Sequence, residues 1–230
     1  MKKNIVMIGG SNGIGLALAK LIHTDVHLYI ASKSTPSQEQ LEHTYIPFNV
    51  LEQSLDVSNL PEQIDGFIYC PGSITLKPFK RLQVEDFKKD MDINFFGLVT
   101  SFQSIVSRMS KGSSAIFFST VAVAQGMPFH SSIAAAKSAV EGFAKAIAAE
   151  YAPNIRVNVI APSLTDTPLA SRLLNTDAKK ALHGDKHPLK RVGTAEDIAA
   201  TAAFLLSDKS SWITGQVLHV NGGLNSLSIA

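Results

Sequence analysis

The sequence has only one cysteine, Cys70, in 230 residues. A single thiol excludes an intrachain disulfide and a cysteine-rich zinc site, and it fits a cytoplasmic location, where thiols stay reduced. Charged residues are sparse, at 17% with a net charge of +2, so no polybasic surface points to nucleic acid as a partner. No apolar run reaches the roughly 18 residues of a membrane-spanning helix, and the run after Lys3 is too short for a signal peptide. A hydrophobic share of 45% still suffices for a folded core.

Short apolar runs alternate with helical patterns through the whole chain. The predicted strands are Ile5–Ile8, Val26–Ala31, Phe67–Cys70, Ala115–Ser119, Val157–Ala161 and Val217–Val220, with a weaker one at Ser54–Val57. The predicted helices are Gly13–His23, Val84–Met109, Ser131–Tyr151 and Thr194–Leu206. Most of the strand runs are apolar at both alternating positions, as in a parallel sheet that helices cover on both faces. We therefore predict a single α/β domain, residues 1–230, with a doubly wound, mainly parallel sheet.

One stretch, Leu169–Lys190, is polar and only loosely patterned. It is either a solvated connection or a flap over a substrate, and the pattern leaves both interpretations open. The stretch contains His183 and His187, which are four residues apart. This pair lacks the His-Glu-x-x-His pattern of zinc proteases and is followed at once by Pro188, so we expect no metal site.

The first predicted strand runs into a glycine-rich turn, residues 9–15 (Gly-Gly-Ser-Asn-Gly-Ile-Gly), and then into a helix. A turn this sharp needs residues without a side chain. It exposes backbone N–H groups and the positive end of the helix to an anion. A glycine cluster alone is a weak signal, but its position between the first strand and the first helix predicts a binding site for the pyrophosphate of a dinucleotide.

With these features the chain resembles the short-chain dehydrogenase/reductase family over nearly its whole length. The matching motifs are Gly9, Gly13 and Gly15, Asp56-Val57, Asn94, Lys137, Arg156-Val157-Asn158, Ala161-Pro162, Thr167, Thr214-Gly215-Gln216 and Asn221-Gly222-Gly223. The departures are Tyr69-Cys70-Pro71-Gly72 in place of Asn-Asn-Ala-Gly, and Pro162-Ser163 in place of Pro-Gly. The resemblance implies a Rossmann-type α/β fold with a seven-stranded sheet and helices on both faces. It also implies an oxidoreductase with a small-molecule substrate.

Members of this family bind a nicotinamide dinucleotide, and the resemblance assigns residues to each part of it. These are Gly9, Ser11, Asn12, Gly13, Ile14 and Gly15 for the phosphates, Asp56 and Val57 for the adenine, Gly72 under the adenosine ribose, and Lys137, Pro162, Leu164 and Thr167 for the nicotinamide side. Cys70 stands at a strand end near the expected cofactor crevice, and it is either a cofactor contact or a small buried apolar residue. In this assignment the Asp56 carboxylate accepts a hydrogen bond from the adenine amino group.

The end of the second predicted strand bears on the choice between NAD and NADP. An acidic residue there pairs with a free ribose 2′-hydroxyl. This sequence has Ser32, Lys33 and Ser34 instead. A lysine and two hydroxyls suit a 2′-phosphate, so NADP(H) is the expected cofactor. NAD(H) is the alternative if Lys33 is only a surface lysine.

The catalytic residues of the family are only partly matched. Family members use a Tyr to move a proton, a Lys four residues later to lower the pKa of that Tyr, an upstream Ser to hold the substrate oxygen, and an Asn to support a water. Lys137 and Asn94 match, and Thr120 stands in for the Ser. The Tyr position holds Ile133, which cannot transfer a proton.

Three interpretations follow from Ile133. In the first, the protein reduces a carbonyl or an activated double bond with a non-standard proton donor. The candidate donors are His130, Ser131, Ser132, Thr120 and a water held by Lys137 and Asn94. In the second, the substrate supplies its own proton or needs none. In the third, the protein binds the dinucleotide without turnover, as a sensor or a partner subunit. The reductase is the preferred interpretation.

Family members commonly form dimers and tetramers through two long helices, here Val84–Met109 and Ser131–Tyr151, and through the C-terminal strand. Small residues along the second helix suit close contact between helices. These are Ala134, Ala135, Ala139, Gly142 and Ala146. We therefore expect a homodimer or homotetramer, with neither nucleic acid nor a membrane as a partner.

Overall fold

The computed structural model describes residues 2–36, 41–52 and 54–228. Its centre is a seven-stranded parallel sheet in the order β3-β2-β1-β4-β5-β6-β9. The strands, including the separate two-stranded sheet of β7 and β8, are β1 (Lys3–Ile8), β2 (Val26–Ser32), β3 (Thr44–Pro47), β4 (Ile64–Tyr69), β5 (Met109–Phe118), β6 (Ile155–Pro162), β7 (Thr165–Asp166), β8 (Gly193–Thr194) and β9 (Val217–Val220). The predicted doubly wound parallel sheet is confirmed.

Helices cover both faces of the sheet. They are α1 (Gly13–Ile22), α2 (Val84–Met91), α3 (Gly97–Ile105), α4 (Val121–Ala124), α5 (Ser131–Tyr151), α6 (Ser171–Leu174), α7 (Asp177–Gly184) and α8 (Ala195–Leu206). One core joins α1 and α8 to the sheet, and the other joins α3 and α5 to it around the rings of Phe67, Phe102 and Phe117. Burial on both faces explains why the strand sequences are apolar throughout. Within the described residues, no helix combines the length and the apolar character needed to cross a bilayer.

The third strand does not lie where the sequence pattern placed it. The prediction put it at Ser54–Val57, whereas Thr44–Pro47 pairs with Tyr29–Ser32 of β2. Residues 54–57 have no regular structure, although Leu55 is buried in the core. A loop that buries one apolar side chain looks much like a short edge strand in the sequence, and this is the reason that the prediction was wrong.

The predicted helix Val84–Met109 is interrupted in the structure. Between α2 and α3 the chain makes a π-helical turn, Asp92–Phe96. The Tyr69 hydroxyl donates a hydrogen bond of 2.6 Å to the carbonyl oxygen of Ile93 in this turn, so a carbonyl of the wider turn keeps a partner. Turns of this kind are frequent at functional sites, and this one carries Asn94.

The stretch Leu169–Lys190 is largely helical rather than irregular. It contains α6 and α7, and its base is held by β7 and β8, where Thr165 pairs with Gly193. Ala170 and Leu174 are buried, so the beginning of the stretch packs against the body of the domain. Its loose sequence pattern therefore reflects short helices that bury few side chains.

Candidate active site

A cavity of about 650 Å³ opens at the carboxyl ends of the central strands. It lies where β1 has β2 on one side and β4 on the other, which is the position where doubly wound sheets bind ligands. Most of the predicted site residues line it together: Gly9, Ser11, Asn12, Gly13, Ile14, Gly15, Ser32, Lys33, Cys70, Gly72, Thr120, His130, Lys137, Pro162, Leu164 and Thr167. Asn94 lies buried behind this wall, and Asp56 and Val57 lie elsewhere.

The glycine turn depends on missing side chains. Gly9 has a φ of +81°, in the left-handed region that favours glycine. A Cβ on Gly15 would lie 2.4 Å from the carbonyl oxygen of Gly9. A Cβ on Gly13 would lie 3.5 Å from Thr167 Cβ, so the turn also packs closely against the segment after β7. A side chain at Gly15 would push the turn out of this arrangement.

The start of α1 faces the cavity without a side-chain cap. Asn12 is the N-cap residue, but its side chain makes no capping hydrogen bond. Its Nδ2 instead lies 3.2 Å from Ser11 Oγ and donates to it. The first N–H groups of the helix therefore keep their capacity to donate, and the helix dipole adds a positive potential. This arrangement is one that binds phosphate.

The loop after β2 presents one cation, and its hydroxyls have structural partners. Ser32 lines the cavity, but its Oγ donates to Ser34 O at 2.8 Å, so this hydroxyl hydrogen holds the loop. Ser34 Oγ lies 3.2 Å from Ser11 Oγ and ties the loop to the glycine turn. Lys33 is exposed at the cavity edge. Among residues 2–36, 41–52 and 54–228, no carboxylate forms an ion pair with it.

Asp56 and Val57 do not reach the cavity, which corrects the expected adenine contacts. The Asp56 carboxylate is exposed and accepts a 2.9 Å hydrogen bond from Ser58 N, which lowers the pKa of Asp56. The third strand is Thr44–Pro47, so a different segment follows its carboxyl end into the cavity. Three apolar residues line this part: Phe48, Val50 and Leu51. The correction has the same cause as the misplaced strand.

Gly72 leaves room in front of two polar atoms from other elements. A Cβ on Gly72 would lie 3.3 Å from Asn94 Oδ1 and 3.7 Å from Lys137 Nζ. Asn94 Nδ2 donates to Ser73 Oγ and Asp90 O, each at 2.8 Å. Asn94 Oδ1 is buried and, within the described part of the chain, has no hydrogen-bond partner. An unpartnered buried acceptor beside a missing side chain suits a hydroxyl or a water.

Lys137 is a buried cation. Its Nζ donates a 2.8 Å hydrogen bond to Phe118 O. Burial lowers the pKa of Lys137 to about 8, against the opposing effects of Cys70 and Asp90, so the ammonium remains largely charged at neutral pH. Burial also raises the pKa of the Cys70 thiol to about 12. Cys70 is therefore a neutral thiol, and its Sγ would lie 3.2 Å from a Cβ on Gly15.

A buried carboxylate that sequence analysis missed supports these residues. Asp90 is fully buried. Its Oδ1 accepts hydrogen bonds from Ser73 Oγ at 2.5 Å and Thr75 Oγ1 at 2.9 Å, and its Oδ2 accepts one from Ser132 Oγ at 2.6 Å. Three hydroxyl donors satisfy the buried group and join α2, the loop after β4 and the start of α5. The one sequence signal is that Asp90 precedes Asn94 by four residues, on the same helix face.

The predicted catalytic positions after β5 lie along the same wall. Thr120 Oγ1 accepts from Ala122 N at 3.3 Å as the N-cap of α4, and its O–H is left to donate elsewhere. Ile133 lines the cavity and is only 4% exposed. His130 is half-buried, and its Nδ1 lies 2.7 Å from Pro128 O. A carbonyl only accepts, so Nδ1 carries the hydrogen and Nε2 is the basic atom.

The carboxyl end of β6 brings a serine against a buried histidine. Ser163 lines the cavity, and its Oγ lies 2.9 Å from Nε2 of His187. His187 is 3% exposed, and its Nδ1 lies 2.9 Å from His183 O. Sequence analysis did not pair these residues, because 24 positions separate them. The one available signal was a serine where the family has glycine. Within the described residues, no three His, Cys, Asp or Glu side chains are grouped to hold a metal ion.

Comparison with known proteins agrees with this geometry. The family described as "Enoyl-(Acyl carrier protein) reductase" matches residues 9–225 of the chain. The chain belongs to the short-chain dehydrogenase/reductase family. It is an oxidoreductase of that type, and the resemblance carried by the sequence motifs is confirmed.

Similar proteins of this family match along nearly their full length. The chain is 32% identical over 244 residues to the 3-oxoacyl-[acyl-carrier-protein] reductase FabG of Chlamydia muridarum, covering 97% of this chain and 98% of that protein. It is 29% identical over 240 residues to FabG of Buchnera aphidicola, covering 97% of each. The ligand-free aldohexose dehydrogenase of Thermoplasma acidophilum superposes with a TM-score of 0.88 at 25% identity, covering 100% of this chain and 98% of that one.

Proposed function

We propose that this protein is an NADP(H)-dependent reductase that acts on a carbonyl or an activated double bond, with 3-oxoacyl thioesters as the first substrate class. The observation that carries this proposal is one continuous cavity. It joins the uncapped start of α1 to the polar atoms of Asn94 and Lys137 in front of Gly72. The first end suits a pyrophosphate, and the second suits the hydroxyls of a ribose.

The residues along the cavity fit a nicotinamide dinucleotide. The proposed contacts are Gly9, Ser11, Asn12, Gly13, Ile14 and Gly15 for the phosphates, Lys33 for the 2′-phosphate, Val50 for the adenine, Cys70 and Gly72 near the adenosine ribose, Lys137 for the nicotinamide ribose, and Pro162, Leu164 and Thr167 for the nicotinamide. When bound, the dihydronicotinamide supplies a hydride. An exposed lysine at the β2 end supports NADP(H) over NAD(H).

The polar side chains have distinct proposed roles. The Lys137 ammonium holds the ribose hydroxyls, since it is largely charged at neutral pH. The Thr120 hydroxyl donates to the substrate oxygen and stabilises the negative charge that develops there. Asn94 Oδ1 accepts from a water or a hydroxyl. Ile133, at the position of the family's Tyr, contributes only apolar contact, so the proton must come from another group.

The alternative proton donors differ in their access to the cavity. Ser132 Oγ is engaged by Asp90 at 2.6 Å, and Ser131 is exposed at the start of α5, away from the cavity lining. These two hydroxyls are therefore poor donors. Thr120 and His130 both line the cavity and remain candidates from the sequence.

The substrate class is inferred from the outer wall. Leu169 and Leu173, from the proposed substrate flap Leu169–Lys190, line the cavity together with Met127 and Leu224. An apolar wall favours a substrate with an apolar portion over a sugar or a charged metabolite. The FabG relatives, which are named for 3-oxoacyl groups on acyl carrier protein, support an acyl substrate.

Consumption of NADPH tests the function. The purified protein is mixed with NADPH and, separately, with a 3-oxoacyl thioester, a 2-enoyl thioester, a ketone and an aldehyde, and oxidation is followed by absorbance. We expect turnover with at least one thioester. Binding of NADPH without any turnover would favour the silent sensor or partner subunit. A protein that shows no thermal shift with NADPH or NADH would contradict both interpretations.

We also propose self-association as a homodimer or homotetramer. The small residues Ala135, Gly142 and Ala146 are exposed along α5, and Phe96 at the end of the π-helical turn is 51% exposed. Such a surface allows two helices to approach closely. Light scattering should give a mass of two or four chains at micromolar concentration, and a monomer would contradict the proposal.

A further inference from the structure

We propose that Ser163 and His187 form the proton relay of this active site, in which Ser163 Oγ gives the proton to the substrate oxygen and His187 restores it. This inference rests on the proposed reductase function. It identifies a proton donor to replace the family's Tyr, whose position Ile133 occupies. Ser163 is the catalytic residue, since it lines the cavity. His187 lies behind it and acts through it as a positioning and proton-supplying residue.

The hydrogen-bond partners fix where the hydrogens of this pair lie. Nδ1 of His187 is 2.9 Å from the carbonyl oxygen of His183, which can only accept, so Nδ1 carries a hydrogen. In the neutral ring Nε2 then has none and accepts the hydrogen of Ser163 Oγ at 2.9 Å. A proton can therefore pass between Ser163 and His187 along a hydrogen bond that already exists.

The histidine is held firmly in this orientation. His187 is 3% exposed, and its backbone N–H donates to Gly184 O at 2.9 Å. Its ring packs on Gly222, where a Cβ would lie 3.5 Å from His187 Cδ2. Leu189 N donates to Gly222 O at 3.2 Å and closes the chain around the ring. The loosely patterned stretch Leu169–Lys190 therefore holds the His187 imidazole in one orientation behind the cavity wall.

Ser163 enters the cavity beside the proposed oxygen-binding hydroxyl. Phe118 of β5 and Ile160 of β6 are paired in the sheet, and Ser119 N donates to Ile160 O at 2.8 Å. Thr120 and Ser163 therefore follow adjacent strands, two and three residues beyond that pair, at the same edge of the sheet. A substrate oxygen bound by Thr120 would therefore lie in the same part of the cavity as the Ser163 hydroxyl.

The surroundings favour proton transfer over covalent catalysis. A serine nucleophile needs a histidine whose second nitrogen is oriented by a carboxylate or an amide, and donors for an oxyanion. The second nitrogen of His187 faces a backbone carbonyl instead. This partner fixes the ring and stabilises a positive charge on it less than a carboxylate would. The pair is suited to passing one proton rather than to supporting an acyl-enzyme.

The relay balances as one proton and no electrons. During reduction, the hydride, and with it both electrons, would come to the substrate carbon from a bound dihydronicotinamide. The Ser163 O–H bond breaks as a new O–H bond forms at the substrate oxygen. Before each reduction the neutral His187 ring takes up one proton from solvent at Nε2. This Nε2–H bond breaks as the Ser163 O–H bond is restored, which returns the ring to its neutral form. In the oxidative direction each step reverses, and Nε2 receives the proton of the alcohol through Ser163.

Turnover of the full-length protein with NADPH and a 3-oxoacyl thioester provides the first test. Ser163→Gly removes the hydroxyl and installs the residue found in the family, so the fold should be kept. We expect kcat to fall about 10²–10⁴-fold, with KM for the thioester and the NADPH thermal shift nearly unchanged. Ser163→Thr should restore most of the rate, and His27→Ala, which changes an exposed histidine of β2 that does not line the cavity, should leave it near the parental value.

Nitrogen-15 NMR of the ligand-free protein provides a readout that does not depend on turnover. In its neutral form the His187 ring should carry its hydrogen on Nδ1, and Ser163→Gly should shift the Nε2 signal while the other histidines stay unchanged. A neutral ring with its hydrogen on Nε2, or a Ser163→Gly variant that keeps the parental kcat, would overturn the relay alone. A parent protein that binds NADPH but reduces no substrate would overturn the proposed function and the relay with it.

Discussion

The two ends of the cavity use different chemistry to make a site. The phosphate end consists of backbone N–H groups at the start of α1. These groups are exposed because Gly9 and Gly15 carry no side chain. The catalytic end is made of side chains held by partners far along the chain, as Ser163 is by His187. A backbone site tolerates almost no substitution, whereas a side-chain site can change its proton donor without changing the fold.

The largest expected effect is loss of the backbone site in Gly15→Ala. The added Cβ would lie 2.4 Å from the Gly9 carbonyl oxygen, and overpacking of this kind costs about 1–3 kcal/mol of folding stability. We expect no thermal shift with NADPH. Gly126→Ala is the matched control, since a Cβ there has open space and should change stability by no more than about 1 kcal/mol. Normal NADPH binding by Gly15→Ala would contradict the conclusion that the phosphate end depends on the backbone of the glycine turn.

The side-chain end should accept a second proton donor. Ile133→Tyr places a phenol at the position of the family's Tyr, four residues before Lys137. In the Ser163→Gly background it should raise kcat about 10²-fold or more, whereas in the parent protein the gain should be much smaller because a donor is already present. Ile133→Phe, with the same ring and no hydroxyl, is the control. Equal rates for the Tyr and Phe variants would show that this position has no access to the reacting oxygen.

Removal of the buried cation should stabilise the ligand-free protein. The pKa of Lys137 is about 8 in the folded chain, against 10.5 for an ordinary lysine. Lys137→Met should therefore raise the free energy of unfolding at pH 7 by about 1–3 kcal/mol, since the lost hydrogen bond to Phe118 O offsets part of the gain. Thermal or urea denaturation measures this change, and the exposed Lys145→Met on the same helix is the control.

The pH dependence of this difference has a definite sign. Between pH 8 and 10.5 the unfolded parent chain keeps the Lys137 proton that the folded chain has lost. The parent protein therefore gains stability as the pH rises through this window, and its deficit relative to Lys137→Met shrinks. A difference that stays constant from pH 7 to 10 would show that Lys137 does not titrate in this range.

The smallest expected effect concerns the exposed edge of the phosphate end. Lys33→Ala should weaken NADPH binding about tenfold, or about 1.4 kcal/mol, and leave NADH binding unchanged, because only NADPH has a 2′-phosphate to pair with the ammonium. Titration by fluorescence measures both affinities. Lys20→Ala, an exposed lysine at the end of α1, is the control. An equal loss for both nucleotides would remove the basis for preferring NADP(H).

Much of the fold and the phosphate end was predictable. Burial on both faces makes the parallel strands apolar throughout, so Ile5–Ile8 and Val157–Ala161 were recognisable from short windows. The glycine turn was recognisable because all the glycines that it needs lie within seven consecutive residues. Asn94 and Lys137 were found from the family motifs, and the structure brings both to the same opening in front of Gly72.

Other features were settled only by tertiary contacts. The third strand, Thr44–Pro47, was missed because an edge strand and a loop that buries Leu55 have similar local patterns. The same error led to the expectation that Asp56 contacts the adenine. Asp90 is hydrogen-bonded to Ser132, 42 positions away, and the Ser163–His187 pair joins residues 24 apart.

The sequence by itself determined the alternation of strands and helices and the glycine turn, because those follow from burial and backbone freedom within a few neighbouring residues. Only the tertiary structure decided which hydroxyl meets which imidazole and which carboxylate is buried. Such pairings depend on how helices and strands that are far apart in the sequence pack together. A pattern of neighbouring residues does not specify that packing.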